Sequence, residues 1–146
     1  TEAEWEYACR AGSTTSYSWG ESGAEASKYV PVSDSHTWQE QDPQWTSMQK
    51  TIPRAMESVG SCLPNPWGLY DMHSNAGELC AVYYALAGAP RVENPSGPLT
   101  GGPRVIRGLV TYSRARRACA RSASRARSTD VDRHAAYGFR VVYRLP

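Results

Sequence analysis

The chain has 146 residues, of which 40% are hydrophobic, and it carries five Trp, nine Tyr and a formal net charge of +2. This length and composition exclude a disordered chain and predict one globular domain with a core of its own. No apolar run approaches the roughly 18 residues of a membrane-spanning helix, so we expect no membrane insertion. The sequence starts abruptly and without a signal peptide, so we expect one domain over residues 1–146 that lacks its N-terminal portion.

The first predicted element is a helix that begins at Thr1. The first four residues have the S/T-x-x-E form of a capping box, and Trp5 and Cys9 then fall on one helical face. Gly12 is the expected C-cap. Residues 13–66 are rich in Ser, Thr, Gly, Pro and Gln, which predicts long loops with short strands at best.

The second half of the chain supplies the expected core and strands. The densest apolar stretch, residues 69–84, predicts core, and the Pro- and Gly-rich residues 93–103 predict a loop. Residues 104–108 read as a short strand, and residues 138–143 give the clearest strand pattern, with Arg140 directed outward. The predicted class is α+β, with one or two helices, short strands and a high irregular content.

The net charge conceals two halves of opposite sign. Residues 1–103 carry five basic and twelve acidic side chains, whereas residues 104–146 carry eleven arginines and two aspartates. The basic half indicates either an anion-binding end or two halves that fold together and neutralise each other. Its arginines alternate with Ala and Ser in no known nucleic-acid-binding pattern, so a nucleic acid is not the expected partner.

Five motifs, in fixed order along the whole chain, resemble one family. They are TEAEWEYA with RAG (residues 1–12), NPWGLYDM (65–72), HSNAGELC (73–80), NPSGP with RVIRG (94–108) and GFRVV (138–142). This series is similar to the formylglycine-generating enzyme or sulfatase-modifying-factor domain family. The resemblance implies a C-type-lectin-like fold with little regular structure, often steadied by calcium.

The active site of that family is a pair of cysteines that binds copper(I), a soft metal that prefers thiolates. Counting from one flanking motif places the pair at Ser113 and Ala118, and counting from the other places it at Tyr112 and Arg117. Cys119 is near these positions but is single. Because hydroxyl, methyl and guanidinium groups cannot replace copper thiolates, we expect no copper and no oxidase activity.

The resemblance also implies a calcium site. Its ligands would be the Asp71 side chain, backbone oxygens at Ser74 and Ala76, and the Glu78 carboxylate, a set of hard oxygen donors that suits Ca²⁺. Ser74 replaces the usual Gly, so a left-handed backbone there would be strained. The competing interpretation is that Asp71 and Glu78 only cap and hydrogen-bond local turns.

The four cysteines have no metal-binding spacing, which argues against zinc. The resemblance places Cys80 and Cys119 near each other, either as a disulfide or as two buried thiols. His73 occupies a common family position and is expected to be structural.

Residues 109–137 are unusual because they contain no Lys, Glu, Gln, Met or Trp, five types that number 23 in residues 1–103. Every residue type present can be reached from an AAC or AAT codon by changing only adenines, whereas those five cannot. This pattern is typical of the variable proteins of diversity-generating retroelements, many of which resemble the same family. The alternative is a degenerate family member from a high-GC genome, drifting in a tolerant loop.

The variable-protein interpretation predicts a ligand-binding face over residues 109–137. The expected contact residues after Arg125 are Ala126, Arg127, Ser128, Asp132, His134, Ala135 and Ala136. Those before it are Thr111, Tyr112, Ser113, Arg114 and Arg117. Arg and Tyr are enriched at binding hot spots, and clustered arginines favour a protein with an acidic surface or a phosphate or carboxylate ligand. The sequence indicates no oligomeric state.

Overall fold

The computed structural model describes residues 1–31, 56–85, 97–110, 120–128 and 137–143. Within them lie two short α-helices, one 3-10 turn and six short strands, joined by long irregular connections, which agrees with the predicted α+β class. In chain order these are α1 (Glu2–Arg10), the 3-10 turn (Gly23–Glu25), α2 (Ala26–Tyr29), β1 (Ser74–Asn75), β2 (Gly77–Tyr83), β3 (Arg104–Arg107), β4 (Leu109–Val110), β5 (Ala126–Arg127) and β6 (Tyr137–Gly138).

Helix α1 begins with the predicted capping box. The Thr1 hydroxyl accepts from the Glu4 amide at 3.3 Å, and the Glu4 carboxylate in turn accepts from the Thr1 amino group at 2.8 Å. The helix ends at Arg10, and Ala11 adopts the left-handed cap conformation with φ of 47°, so the C-cap lies one residue before the predicted Gly12. The C-cap comes one residue early because the left-handed backbone begins at Ala11 and continues at Gly12, where φ is 87°.

A four-stranded mixed sheet in the order β5-β3-β2-β6 carries the core. Strand β2 pairs antiparallel with β3, which places Glu78 opposite Arg107, and parallel with β6, which places Gly77 opposite Tyr137. A separate parallel pair joins β1 and β4. Helix α1 packs on the sheet, and the main core cluster comprises Trp5, Cys9, Met72, Cys80, Val82 and Val105. The predicted strand at 104–108 and the predicted core stretch at 69–84 are confirmed.

The predicted C-terminal strand is much shorter than its sequence pattern suggests. Only Tyr137–Gly138 pairs within the described sheet, and residues 139–143 run on without a ladder partner there. Phe139 and Tyr143 are exposed, at 77% and 82%. Arg140 turns inward to the carboxylate of Glu78, contrary to the predicted outward direction, because its charge finds a partner there. Helix α2 likewise lies in a stretch that the sequence predicts as loops.

Candidate binding site and predicted calcium site

Arg107, at the end of β3, anchors the stretch of residues 120–128, which is the described middle of the predicted 109–137 binding face. It is fully buried, with 0% of its side chain exposed. Its Nη1 donates to the carbonyls of Ala123 at 3.1 Å and Ser124 at 2.5 Å. Its Nη2 donates to the Ser122 carbonyl at 2.8 Å and to Glu6 Oε2 at 2.5 Å. A buried guanidinium is tolerable only with such partners, so three successive carbonyls are fixed to one side chain.

His73 anchors the start of the same stretch. Its Nδ1 lies 2.8 Å from the Ala120 carbonyl, and its Nε2 lies 2.8 Å from the Ser18 hydroxyl. Because a carbonyl only accepts, Nδ1 carries the proton and Nε2 accepts from Ser18. Burial lowers the pKa of His73 to about 4, so the ring is neutral at pH 7. The expectation that His73 is structural agrees with this position.

The far side of the stretch is held at Arg125 and Ser128. Arg125 donates to the Glu2 carboxylate through Nε at 2.5 Å and Nη2 at 2.8 Å, and lies over the Tyr84 ring with its Cζ 4.9 Å from the centroid. The Ser128 amide donates to the Arg104 carbonyl at 2.9 Å, and its hydroxyl accepts from the Arg104 amide at 2.8 Å. Ser128 is 3% exposed, so this predicted contact residue has its side chain in the fold.

Exposed side chains alternate with these anchors. Arg121, Ala123, Ala126 and Arg127 are exposed, and the last two form β5 at the edge of the sheet. The structure therefore places two predicted contact residues, Ala126 and Arg127, on one exposed edge. Apart from the buried Ser128, the other predicted contact residues lie outside the described residues: Thr111, Tyr112, Ser113, Arg114, Arg117, Asp132, His134, Ala135 and Ala136.

Ion pairs between the two halves of the chain account for part of the charge asymmetry. In each of them an arginine from the last third meets a carboxylate from the first two thirds: Arg107 with Glu6, Arg125 with Glu2, and Arg140 with Glu78. The interpretation that the halves neutralise each other is thus correct for these three arginines. The sequence reasoning missed Arg107 and its acidic partners, although an arginine between buried strand positions is a usable signal.

Glu78 is the best-defined of the predicted calcium ligands, and its carboxylate already has partners. It is 8% exposed. Trp5 Nε1 donates to Oε2 at 2.5 Å, and Arg140 donates through Nε at 2.7 and 2.9 Å and through Nη2 at 2.5 Å. Arg140 Nη2 also donates to the Tyr70 carbonyl at 3.3 Å.

The remaining predicted calcium ligands have other surroundings. Asp71 Oδ2 accepts from the Gly60 amide at 2.8 Å, while Asp71 Oδ1 and Ser74 Oγ are buried without a hydrogen-bond partner among the described residues. The backbone is left-handed at Asp71, with φ of 58°, and at Asn75, with φ of 90°, and not at Ser74. Ala76 is half-buried. Within the described ranges no group of three or more His, Cys, Asp or Glu side chains could hold a metal ion.

The described cysteines are free thiols. They are Cys9, Cys62 and Cys80. Burial raises the pKa of Cys9 to about 12 and that of Cys80 to about 11, so both are protonated and poor nucleophiles at pH 7. Cys80 is a free thiol in the structure, but Cys119 lies outside the described residues, so the choice between a Cys80–Cys119 disulfide and two buried thiols stays a prediction. Among the elements that the structure describes, no helix has the length and apolarity to cross a membrane.

Comparisons with known proteins agree with this geometry. A family model described as the sulfatase-modifying factor enzyme 1-like domain matches residues 1–145. The chain is 34% identical over 116 residues to a formylglycine-generating enzyme of Streptomyces coelicolor, and 32% identical over 112 residues to one of Bos taurus. Each alignment covers 74% of this chain, but only 34% and 28% of those enzymes.

Among solved structures, Treponema denticola variable protein 1 aligns with a TM-score of 0.71 and 26% identity, over 95% of this chain and 44% of that protein. The chain thus spans about a third of the curated relatives that it matches and under half of this structural neighbour. The fold is C-type-lectin-like and of the α+β class, as predicted. With a family match over nearly its whole length, the chain belongs to the sulfatase-modifying factor enzyme 1-like domain family.

Proposed function

We propose that this chain is a binding domain of the variable-protein type encoded by diversity-generating retroelements. Its arginine-rich face over residues 109–137 would take a protein or an acidic ligand. The likeness to Treponema denticola variable protein 1 supports a protein of this type. Family membership alone does not decide function, because one fold serves many activities.

The observation that carries the proposal is how residues 120–128 are held. Arg107 and His73 bind this stretch through backbone carbonyls, at Ala120 and at residues 122–124. The Ser122 amide also donates to the Ser16 carbonyl at 2.9 Å. Because these contacts do not use the side chains of the stretch, its outward side chains can change without moving the backbone. A variable binding surface on a fixed scaffold has this requirement.

The charge of the exposed side chains supports an acidic partner. Arg125 is ion-paired to Glu2, so the exposed Arg121 and Arg127 carry the positive charge that faces solvent in this stretch. Guanidinium groups bind carboxylates and phosphates through two parallel N–H donors, which gives both strength and orientation.

Two libraries displayed on yeast test whether the face can vary. One randomises the exposed residues: Arg121, Ala123, Ala126 and Arg127. The matched control library randomises residues of the same stretch whose side chains are buried or ion-paired: Ala120, Ser122, Arg125 and Ser128. We expect most members of the first library, and few of the second, to resist protease as wild type does. Equal resistance in the two libraries would contradict the proposal.

A poly-glutamate peptide is the probe for the acidic partner. The double variant Arg121→Ala/Arg127→Ala should weaken its binding by roughly threefold to tenfold at low salt, the effect of two exposed charge pairs. Lys28→Ala, an exposed cation on α2, is the control and should leave binding unchanged. If both variants lose binding equally, the attraction comes from overall charge rather than from this face.

The source DNA tests the origin of the variation. A near-identical template repeat rich in AAC codons, beside a reverse transcriptase gene, is the expected finding. Its absence would favour a degenerate family member. The remaining alternative is the oxidase activity of the formylglycine-generating relatives, which family membership favours and the residues at the expected cysteine positions oppose. Formylglycine formation on a CxPxR-type peptide with copper(I) would establish it and refute our proposal.

A further inference from the structure

A buried ion pair occupies the position where the family resemblance places a calcium ligand. Glu78 is one of the two carboxylates of that predicted site, and its side chain is only 11% exposed. Arg140, from the segment that follows β6, contacts both of its oxygens. Whether the residues present fit calcium therefore depends on what this carboxylate can still accept.

The hydrogen bonds of Glu78 leave no free acceptor position. A carboxylate offers about four lone-pair sites on its two oxygens. Oε1 accepts from Arg140 Nη2 at 2.5 Å and shares the Arg140 Nε–H at 2.9 Å. Oε2 shares the same Nε–H at 2.7 Å and accepts from Trp5 Nε1 at 2.5 Å. A calcium ion on Glu78 would have to displace one of these donors, so Glu78 as arranged does not fit the role of a calcium ligand.

The guanidinium also reaches the second part of the predicted site. Arg140 Nη2 donates to the Tyr70 carbonyl at 3.3 Å, directly beside Asp71 in the chain. The positive charge thus joins Glu78 to the backbone at Tyr70, next to the second predicted carboxylate ligand. Since arginine stays protonated at any ordinary pH, this cation is permanent.

Glu78 pairs with Arg140 although its carboxylate is open to ions from solvent. A cleft of about 740 Å³, between α1, β2 and the segment after β6, is lined by both Glu78 and Arg140. Solvent ions can therefore approach the carboxylate through this cleft. A divalent ion there would meet a guanidinium that is already in contact with the carboxylate, and repulsion between like charges in a partly buried place is strong.

We propose that Arg140 serves as a built-in cation that replaces calcium at this position. The guanidinium joins the segment after β6 to β2 through Glu78 and to the backbone of Tyr70 through its carbonyl. Trp5 of α1 completes the arrangement from the other side of the carboxylate. The fold then closes at this point without a metal. Arg140 is a positioning residue, and the inference is independent of the proposed binding function because it concerns no residue of the 109–137 face.

Thermal unfolding in calcium and in EDTA tests the inference. The wild-type protein should melt at the same temperature in both solutions. In calorimetry, wild type and Glu78→Gln should show the same response to calcium. Arg140→Met keeps the apolar stem and removes the charge. It should melt roughly 10 °C lower in EDTA, the effect of leaving a buried carboxylate unpaired, and should regain part of this loss in calcium. Lys28→Met, at an exposed lysine of α2 outside the 109–137 face, is the control and should match wild type in both solutions.

Two results would overturn the inference. One is a calcium-dependent rise in the wild-type melting temperature that disappears in Glu78→Gln. The other is an Arg140→Met protein that is as stable as wild type in EDTA. If Arg140→Met does not fold in either solution, the comparison of wild type with Glu78→Gln still decides whether calcium binds this carboxylate. Arg140→Lys, which retains the charge, should then fold and melt at a temperature below that of wild type.

Discussion

Replacing Arg107 with methionine should destabilise this domain by about 4 kcal/mol. The substitution leaves Glu6 paired with Arg10 alone, and it removes the Arg107 donor from the carbonyls at residues 122–124. Breaking a buried ion pair by removing one partner costs about 3–5 kcal/mol, and each buried carbonyl left without a donor adds to this loss. Glu6 is 32% exposed and regains some hydration, so we expect a loss of about 4 kcal/mol.

Equilibrium unfolding in urea measures this loss. With a slope of about 2 kcal/mol per molar, the midpoint should fall by about 2 M. Arg107→Lys keeps the charge but cannot reach three carbonyls and a carboxylate at once, so it should fall between wild type and Arg107→Met. Limited trypsin digestion should also show faster cleavage after Arg121 in both variants, because the carbonyl anchor of the neighbouring residues is lost.

The matched control is Arg127→Met, which removes an exposed arginine two residues beyond Arg125. An exposed substitution of this kind changes stability by less than about 0.5 kcal/mol. The reasoning is refuted if Arg107→Met loses less than about 1 kcal/mol, or if Arg127→Met loses as much.

Three further predictions follow from buried groups. The pKa of His73 is about 4 in the folded protein and about 6.5 in the unfolded chain. Its contribution to the free energy of unfolding is therefore complete above pH 6.5 and is lost as the pH falls from 6.5 toward 4, by at most about 3 kcal/mol. Parallel profiles of urea midpoint against pH for wild type and His73→Gln would contradict this. Cys9 and Cys80 should react with a thiol reagent at pH 8 only after denaturation, unlike the partly exposed Cys62. Rapid labelling at Cys9 or Cys80 in the native protein, located by peptide mapping, would contradict this. Ser128→Ala should lose about 1 kcal/mol in urea unfolding, because the Arg104 amide loses its acceptor, whereas Ala126→Ser should be neutral.

Local patterns of the chain were predictable from the sequence. The capping box at Thr1 depends on four adjacent residues, and the strand at 104–108 depends on a short run of β-branched residues, so neither needs knowledge of distant parts. The family resemblance supplied the overall fold, because its ordered motifs span nearly the whole chain.

The partners of the buried arginines were not predictable in this way. Arg107 and Glu6 are 101 positions apart, and Arg140 and Glu78 are 62 positions apart, so no periodicity links them. The residue types at 138–143 suit a strand, but strand formation also requires a partner ladder, and the described sheet pairs only the first two residues of this region. The same limitation applies to Ser128, whose burial follows from β3 and not from its neighbours in sequence.

The carboxylates of helix α1 impose an order of events on biosynthesis. Glu6 meets Arg107 and Glu2 meets Arg125, contacts that join positions 101 and 123 apart. At about 5–20 residues per second, Arg125 is polymerised roughly 6–25 s after Glu2. During that interval Glu2 lacks Arg125 and Glu6 has only Arg10 of its own helix as a partner, and closing so large a loop slows folding further. A nascent chain halted before Arg107 should therefore remain sensitive to protease, however long it waits.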